Sequence, residues 1–157
     1  MQSRPIDADE AVRLYNLALK FAPNYGPALN GLIAIYAVHM MQPERALPLA
    51  ERLLEAQPEH VETWVRYGGV HMMIGERLDR EGKEVEALAH FQETVRSYEH
   101  ALSQEPDRRE LYGPLLSIYR RLDMTREINS LLDLWGRYAP EELQSLMESG
   151  AARELVQ

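Results

Sequence analysis

The sequence predicts an all-α fold, built as an array of antiparallel helix pairs. Three observations predict it. Pro23, Pro58, Pro106 and Pro140 each close one spaced pattern: Ala11-x3-Tyr15-x2-Ala18-x4-Pro23, Ala46-x3-Ala50-x2-Leu53-x4-Pro58, Thr94-x3-Tyr98-x2-Ala101-x4-Pro106 and Ile128-x3-Leu132-x2-Trp135-x4-Pro140. Six residues after each of the first three prolines stands a large side chain that opens a second pattern: Leu29-x2-Leu32-Ile33-x2-Tyr36, Trp64-x2-Tyr67-Gly68-x2-His71 and Tyr112-x2-Leu115-Leu116-x2-Tyr119. The apolar residues between the breaks recur at helical spacing, and at 45% of 157 residues they suffice for a continuous core.

The elements follow in order. A first helix starts after Asp7, which can cap it, with Glu10 completing a capping-box-like pair. Ala11, Leu14, Tyr15, Ala18 and Leu19 mark its apolar face, and it ends before Pro23. It reads as the second helix of a repeat whose first helix is missing. Proline fixes φ and lacks an N–H, so it ends one helix and can start the next. Helices are expected over 25–40 and 43–56, then over 59–80 and 83–104, then over 108–122 and 125–138, with Thr125 as a cap. A last helix, 141–156, carries Leu143, Leu146, Met147 and Leu155 on one side and polar residues on the other, as the cap of an open solenoid core requires.

The paired patterns resemble the tetratricopeptide repeat, whose signature is W-x2-L-G-x2-Y, then A-x3-F, then P, over about 34 residues. The resemblance covers nearly the whole chain. It implies a right-handed α-solenoid of about eight helices and a binding scaffold rather than an enzyme. Residues 1–23 are then a partial first repeat, 24–58 the second, 59–106 the third, 107–140 the fourth and 141–157 a capping helix, together one domain. The chain departs from the signature where Ile33 and Leu116 replace a small residue. Only the third repeat keeps glycine there, at Gly68 beside Gly69, so packing is expected to be tightest in that repeat.

The third repeat is also too long. From Tyr119 to Ile128 is nine residues and from Tyr36 to Ala46 is ten, but from His71 to Thr94 is 23. Sharing the excess between two helices adds about seven residues, or roughly 10 Å, to each. Seven residues nearly preserve a helical face. Leu88, Phe91, Val95, Tyr98 and Leu102 do run at 3-4-3-4 spacing, with Glu81-Gly82 as the tip. Ile74 and Leu78 are expected to pack on Val85 and Leu88, and the long hairpin to make a functional contact of its own.

The net charge of −8 argues against nucleic acid as a partner, because phosphate binding needs a clustered positive face. With no cysteine there is no disulfide, thiolate metal site or thiol nucleophile. No apolar run is long enough to span a membrane. Met1–Glu10 lacks a signal-peptide core, so the expected location is cytoplasmic, or periplasmic for a processed chain.

No residue pattern points to catalysis, and no cofactor is expected. His39, His60, His71, His90 and His100 include no H-E-x-x-H pair. Glu86, His90 and Glu93 share a helical face that reads as solvated rather than metal-binding. His71 reads as a satisfied interior histidine. Trp64, Tyr112, Tyr36, Tyr119, Tyr15 and Tyr98 read as core.

The resemblance implies a concave groove lined by the first helix of each repeat. Counting turns from Leu29, Trp64 and Tyr112 places Asn30, Ala34 and Ala37 there, then Glu62, Val65, Gly69, Met72 and Met73, then Glu110, Gly113, Ser117, Arg120 and Arg121. Small residues leave room for a ligand backbone, and methionine adapts to apolar partners. Heat-shock cochaperones of this family hold a C-terminal carboxylate with Lys, Asn, Asn, Lys and Arg. The matching positions here are Asn30, Ala34, Arg66, Glu110 and Pro114, which lack the cations, so that function is rejected. The leading expectation is a noncatalytic adaptor for a protein or peptide. The alternatives are a self-assembling structural subunit, docked through the hairpin or the solenoid ends, and an accessory domain of a larger enzyme.

Overall fold

The computed structural model describes residues 7–149. Eight α-helices and no strand occur among them: α1 (Ala8–Phe21), α2 (Gly26–Ala34), α3 (Pro43–Ala56), α4 (Val61–Arg80), α5 (Glu84–Gln104), α6 (Tyr112–Arg121), α7 (Thr125–Tyr138) and α8 (Pro140–Glu148). A π-helical turn, Ile35–His39, continues α2, and a short 3-10 turn, Arg109–Leu111, precedes α6. The chain divides into two compact units, one ending at Ser97 and the other starting at Tyr98, with the division inside α5. The expected helix beyond Glu148, including Leu155, lies largely outside the described residues.

In the first unit the repeat positions form the core. Leu29, Leu32, Ile33 and Tyr36 of the second repeat's first helix are buried with Ala46, Ala50 and Leu53 of α3, and Tyr67, Val70 and Ile74 of α4 join them. Tyr15 and Leu19 of α1 pack on this cluster while remaining partly exposed. In the second unit Tyr112, Leu115, Leu116 and Tyr119 of α6 are buried, and the Tyr112 ring stacks on Trp135 of α7 with centroids 5.3 Å apart.

A hydrogen bond repeated in both units supports the proline register. The Trp64 indole Nε1–H donates to the carbonyl of Pro58 at 2.8 Å, and the Tyr112 hydroxyl donates to the carbonyl of Pro106. Each links a residue to the proline six positions before it, and so ties the incoming loop to the first turn of the helix. Trp64 itself is half-buried rather than core. Its polar edge faces the chain entering the helix, so an expectation of full burial is corrected.

The three turns between paired helices share one device. Met41, Gly82 and Asp123 all have positive φ, at 52°, 75° and 54°. The residue after each donates its N–H backward across the helix end: Gln42 to Tyr36 O, Lys83 to Leu78 O and Met124 to Tyr119 O, at 2.8–2.9 Å. This left-handed closure satisfies terminal carbonyls. Glycine reaches it without cost at the long hairpin's tip. The Gln42 bond spans one residue more than the other two, because the π turn inserts one residue. That residue is the difference between the ten-residue spacing Tyr36–Ala46 and the nine-residue spacing Tyr119–Ile128.

The long hairpin forms as its length requires, since α4 has 20 residues and α5 has 21, against 14 in α3. Its packing differs from expectation. Val85 is 81% exposed and Leu88 is 40% exposed. Ala87 and Phe91 are buried instead, and the Phe91 ring lies where a side chain on Gly75 would have to sit. The inward stripe runs through Ala87, Phe91, Thr94, Val95, Tyr98 and Leu102, so Phe91, Val95, Tyr98 and Leu102 are buried as expected and Leu88 alone of that set turns outward. Close approach is not confined to this repeat either, because Tyr15 fills the space over Gly31 in the same way. Asp7 occupies the N-cap of α1 without a side-chain cap bond. Thr125 is the first residue inside α7, with Met124 at the cap.

Candidate functional site

In the first unit the expected groove residues fall on the less buried sides of α2 and α4. Asn30 and Ala34 lie one turn apart on α2, half-exposed, and the Asn30 carbonyl oxygen is buried without a hydrogen-bond partner. Val65, Gly69, Met72 and Met73 are half-exposed along α4, and Met73 also packs on the core cluster. Glu62 is exposed and accepts a hydrogen bond from Arg66, one turn on, at 3.2 Å. Ala37 does not belong to this face: it is 3% exposed, because the π turn rotates it inward.

In the second unit Glu110, Gly113, Ser117 and Arg120 are all exposed, as is Arg121. Gly113, Ser117 and Arg120 stand at positions i, i+4 and i+7 of α6 and so share one face. Space beside Gly113 is open, since a Cβ there would meet no atom within 4 Å. Glu110 accepts a hydrogen bond from Arg108 at 3.2 Å.

Two features escaped the sequence reading. The first is a polar cluster between α4 and α5. The Tyr67 hydroxyl donates to Glu93 Oε2 at 3.3 Å, and the Nδ1 atoms of His71 and His90 lie 2.9 Å apart. Thr94 Oγ1 donates to the Gly68 carbonyl at 3.1 Å beside them. His71 is buried and its Nε2 has no hydrogen-bond partner, so it is only half satisfied. Burial, and next the neighbouring His90, push its pKa down to about 4. Burial also lowers that of His90. The Nδ1–Nδ1 hydrogen bond needs one donor and one acceptor, so the pair holds together only while at least one ring is neutral. A helical-wheel signal existed, because His71 and Tyr67 are one turn apart, as are His90 and Thr94. The pairing between the helices did not follow from it.

The second feature is a cavity of about 540 Å³ in the second unit. Leu102, Leu115, Leu131 and Leu134 form its apolar wall, and Glu99, Arg126 and Glu127 its polar edge. The Tyr119 hydroxyl donates to Glu99 Oε1 at 2.5 Å. Burial, and then this carboxylate, raise the Tyr119 pKa, so the phenol keeps its proton. The arrangement can receive an apolar side chain beside a hydrogen-bonding group.

Among the described residues no three side chains of metal-ligating type come together, and no helix is long and apolar enough to cross a membrane. Glu86, His90 and Glu93 share a face as expected, but His90 and Glu93 are engaged with His71 and Tyr67.

No family model matches the chain, and no curated protein matches it. Among solved structures it is similar to one described as the crystal structure of MamA, with a TM-score of 0.72. The two are 19% identical, and the match covers 94% of this chain and 78% of MamA. At that identity the likeness shows the fold. The fold is an all-α array of helix pairs of the tetratricopeptide type.

Proposed function

We propose that this chain is a tetratricopeptide-type, noncatalytic adaptor, which receives a segment of a partner protein on the exposed faces of its first helices. One observation carries the reading. The repeat residues of α2, α4 and α6 turn into the cores, and their other sides present small, flexible or hydrogen-bonding residues. On α2 and α4 these are Asn30, Ala34, Val65, Gly69, Met72 and Met73. On α6 they are Gly113, Ser117 and Arg120. A peptide backbone can approach glycine and alanine closely, methionine adapts to apolar side chains, and the half-exposed Asn30 side chain brings an amide to this face.

Photo-crosslinking amino acids at Gly69 and Ser117, in the intact protein in its native cells, should capture a partner. The same groups at Glu55 of α3 and Asp133 of α7, which are exposed on second helices, should not. Asn30→Ala combined with Arg120→Glu should weaken binding of the captured partner at least tenfold, or about 1.4 kcal/mol, with an unchanged melting temperature. Adducts confined to the α3 and α7 positions would move the binding face to the second helices.

A further inference from the structure

Two imidazoles from facing helices meet inside the long hairpin. His71 of α4 is buried and His90 of α5 is half-buried. Their Nδ1 atoms lie 2.9 Å apart and their ring centroids 4.9 Å apart. One turn before His71, Tyr67 stands edge-on to it, with centroids 4.5 Å apart. One turn after His90 comes Glu93. Its carboxylate accepts from the Tyr67 hydroxyl at 3.3 Å and pairs with Arg96 at 2.8 Å, both through Oε2. The carboxylate is held by that one oxygen, which leaves Oε1 for another ligand.

The spacing of the two nitrogens is that of metal ligands. Bonds from imidazole nitrogen to a divalent transition ion are about 2.0–2.1 Å, so two such nitrogens at a right angle stand about 2.9 Å apart, against about 3.4 Å at the tetrahedral angle. The rings agree with the wider angle: centres about 3.2 Å from one shared ion and 4.9 Å apart subtend about 100°. Angles near 90° with nitrogen and oxygen ligands belong to tetragonal Cu2+ and Ni2+ sites rather than to Zn2+. No hydrogen bond on His71 Nε2 fixes the tautomer of that ring. Burial holds both rings neutral, as ligands must be. We propose that His71 and His90 are adjacent Nδ1 ligands of a divalent ion of the Cu2+ or Ni2+ type bound between α4 and α5, with Glu93 Oε1 turning in as the third ligand and water completing the shell.

Two ligands are thus preformed, and among the described residues no third closes on them before an ion arrives. The ion takes the place of the hydrogen bond between the rings. The donor ring moves its proton from Nδ1 to Nε2, so both Nδ1 lone pairs point at the metal and no proton has to leave. The charged groups around the pair are Glu86 and Glu93, a turn to either side of His90, and Arg96, which Glu93 offsets. An ion enters past His90 and Glu93, which are half-buried. It binds only where the two arms are paired, and so stabilises the folded hairpin. The inference does not rest on a partner for the first helices, because His71 faces α5 and not the outward side of α4.

The test titrates the full, metal-free chain with Ni2+ and with Cu2+ at about pH 7, where unshifted and lowered imidazoles are neutral. Calorimetry gives the affinity, and electron paramagnetic resonance of the Cu2+ form counts its nitrogen ligands. One ion per chain should bind with a Kd below about 100 µM and raise the melting temperature, and the Cu2+ spectrum should carry the splitting of two nitrogens. His90→Ala should weaken binding at least tenfold and abolish the thermal shift, as should His71→Leu, and Glu93→Gln should weaken it by less. His39→Gln with His60→Gln, both exposed, should change neither. Circular dichroism without metal checks that each variant folds. If His71→Leu does not, His90→Ala, at the less buried position, decides. A wild-type Kd weaker than that bound, full affinity in His90→Ala, or binding lost with His39 and His60 instead, the mark of an adventitious ion only, would each overturn the proposal.

Discussion

The second and third repeats depart from the fourth at one place, between the paired helices, and they accommodate the excess differently. The second has a single extra residue and takes it up locally as the π turn Ile35–His39. The third has about fourteen extra and spreads them over two continuous helices, α4 and α5. Helical phase explains the contrast. One residue advances a helix by about 100°, which would turn Tyr36 or everything beyond it out of the core. The turn must absorb it before the chain reverses at Met41. Seven residues in each arm turn the face almost full circle, so they can remain α-helical and simply lengthen the pair. Insertions in such a fold are thus tolerated by phase rather than by size.

Single deletions test this most severely. Removing Gln92 from α5, exposed though it is, should put His90 and Glu86 at the buried positions now held by Phe91 and Ala87. Loss of the Phe91 packing against Gly75 alone should cost about 3–5 kcal/mol, read as a lower denaturant midpoint. Removing Val38, 61% exposed within the π turn, should cost only about 1 kcal/mol, since it restores the spacing found between Tyr119 and Ile128. Equal losses from the two deletions would refute the phase argument.

A smaller effect should come from acid. The folded His71 pKa, about 4, lies below its ordinary value near 6.5. The unfolded chain therefore binds the proton first. Stability should be full above about pH 6.5 and fall toward pH 4, with a slope of at most about 1.4 kcal/mol per pH unit from this group. His71→Leu should flatten that part of the profile, measured by denaturant unfolding at a series of pH values. A slope unchanged by the substitution would leave His71 without a part in it.

The smallest effect concerns the lengthened arm itself. Arg77 of α4 forms an ion pair with Glu44 of α3, and its side chain is 38% exposed. Arg77→Ala should change stability by less than about 1 kcal/mol, as for other exposed pairs. A larger loss would mean that the extension leans on the second repeat rather than standing by phase alone.

The amino-acid sequence by itself determined the helix order, the turn positions and the repeat register. Proline ends helices by local covalent geometry, and burial at 3.6-residue spacing is a one-dimensional signal, so Leu29, Tyr112 and the α3 alanines could be placed without coordinates. It also determined the length of the long hairpin, because phase is counted along the chain. Only the tertiary structure decided which residues meet between helices. The inward stripe runs through Ala87 rather than Leu88 because the rotation of α5 is set by Phe91 settling over Gly75, a contact between residues sixteen apart. The pairing of His71 with His90 arises the same way, as does the cavity beside Tyr119. The exposed residues of α2, α4 and α6 were located by elimination from the core stripe, whereas the rotation of Ala37 out of that set required the π turn. Helix formation is governed by neighbours in sequence, and helix rotation by shape complementarity between distant side chains, which a single chain of letters does not carry.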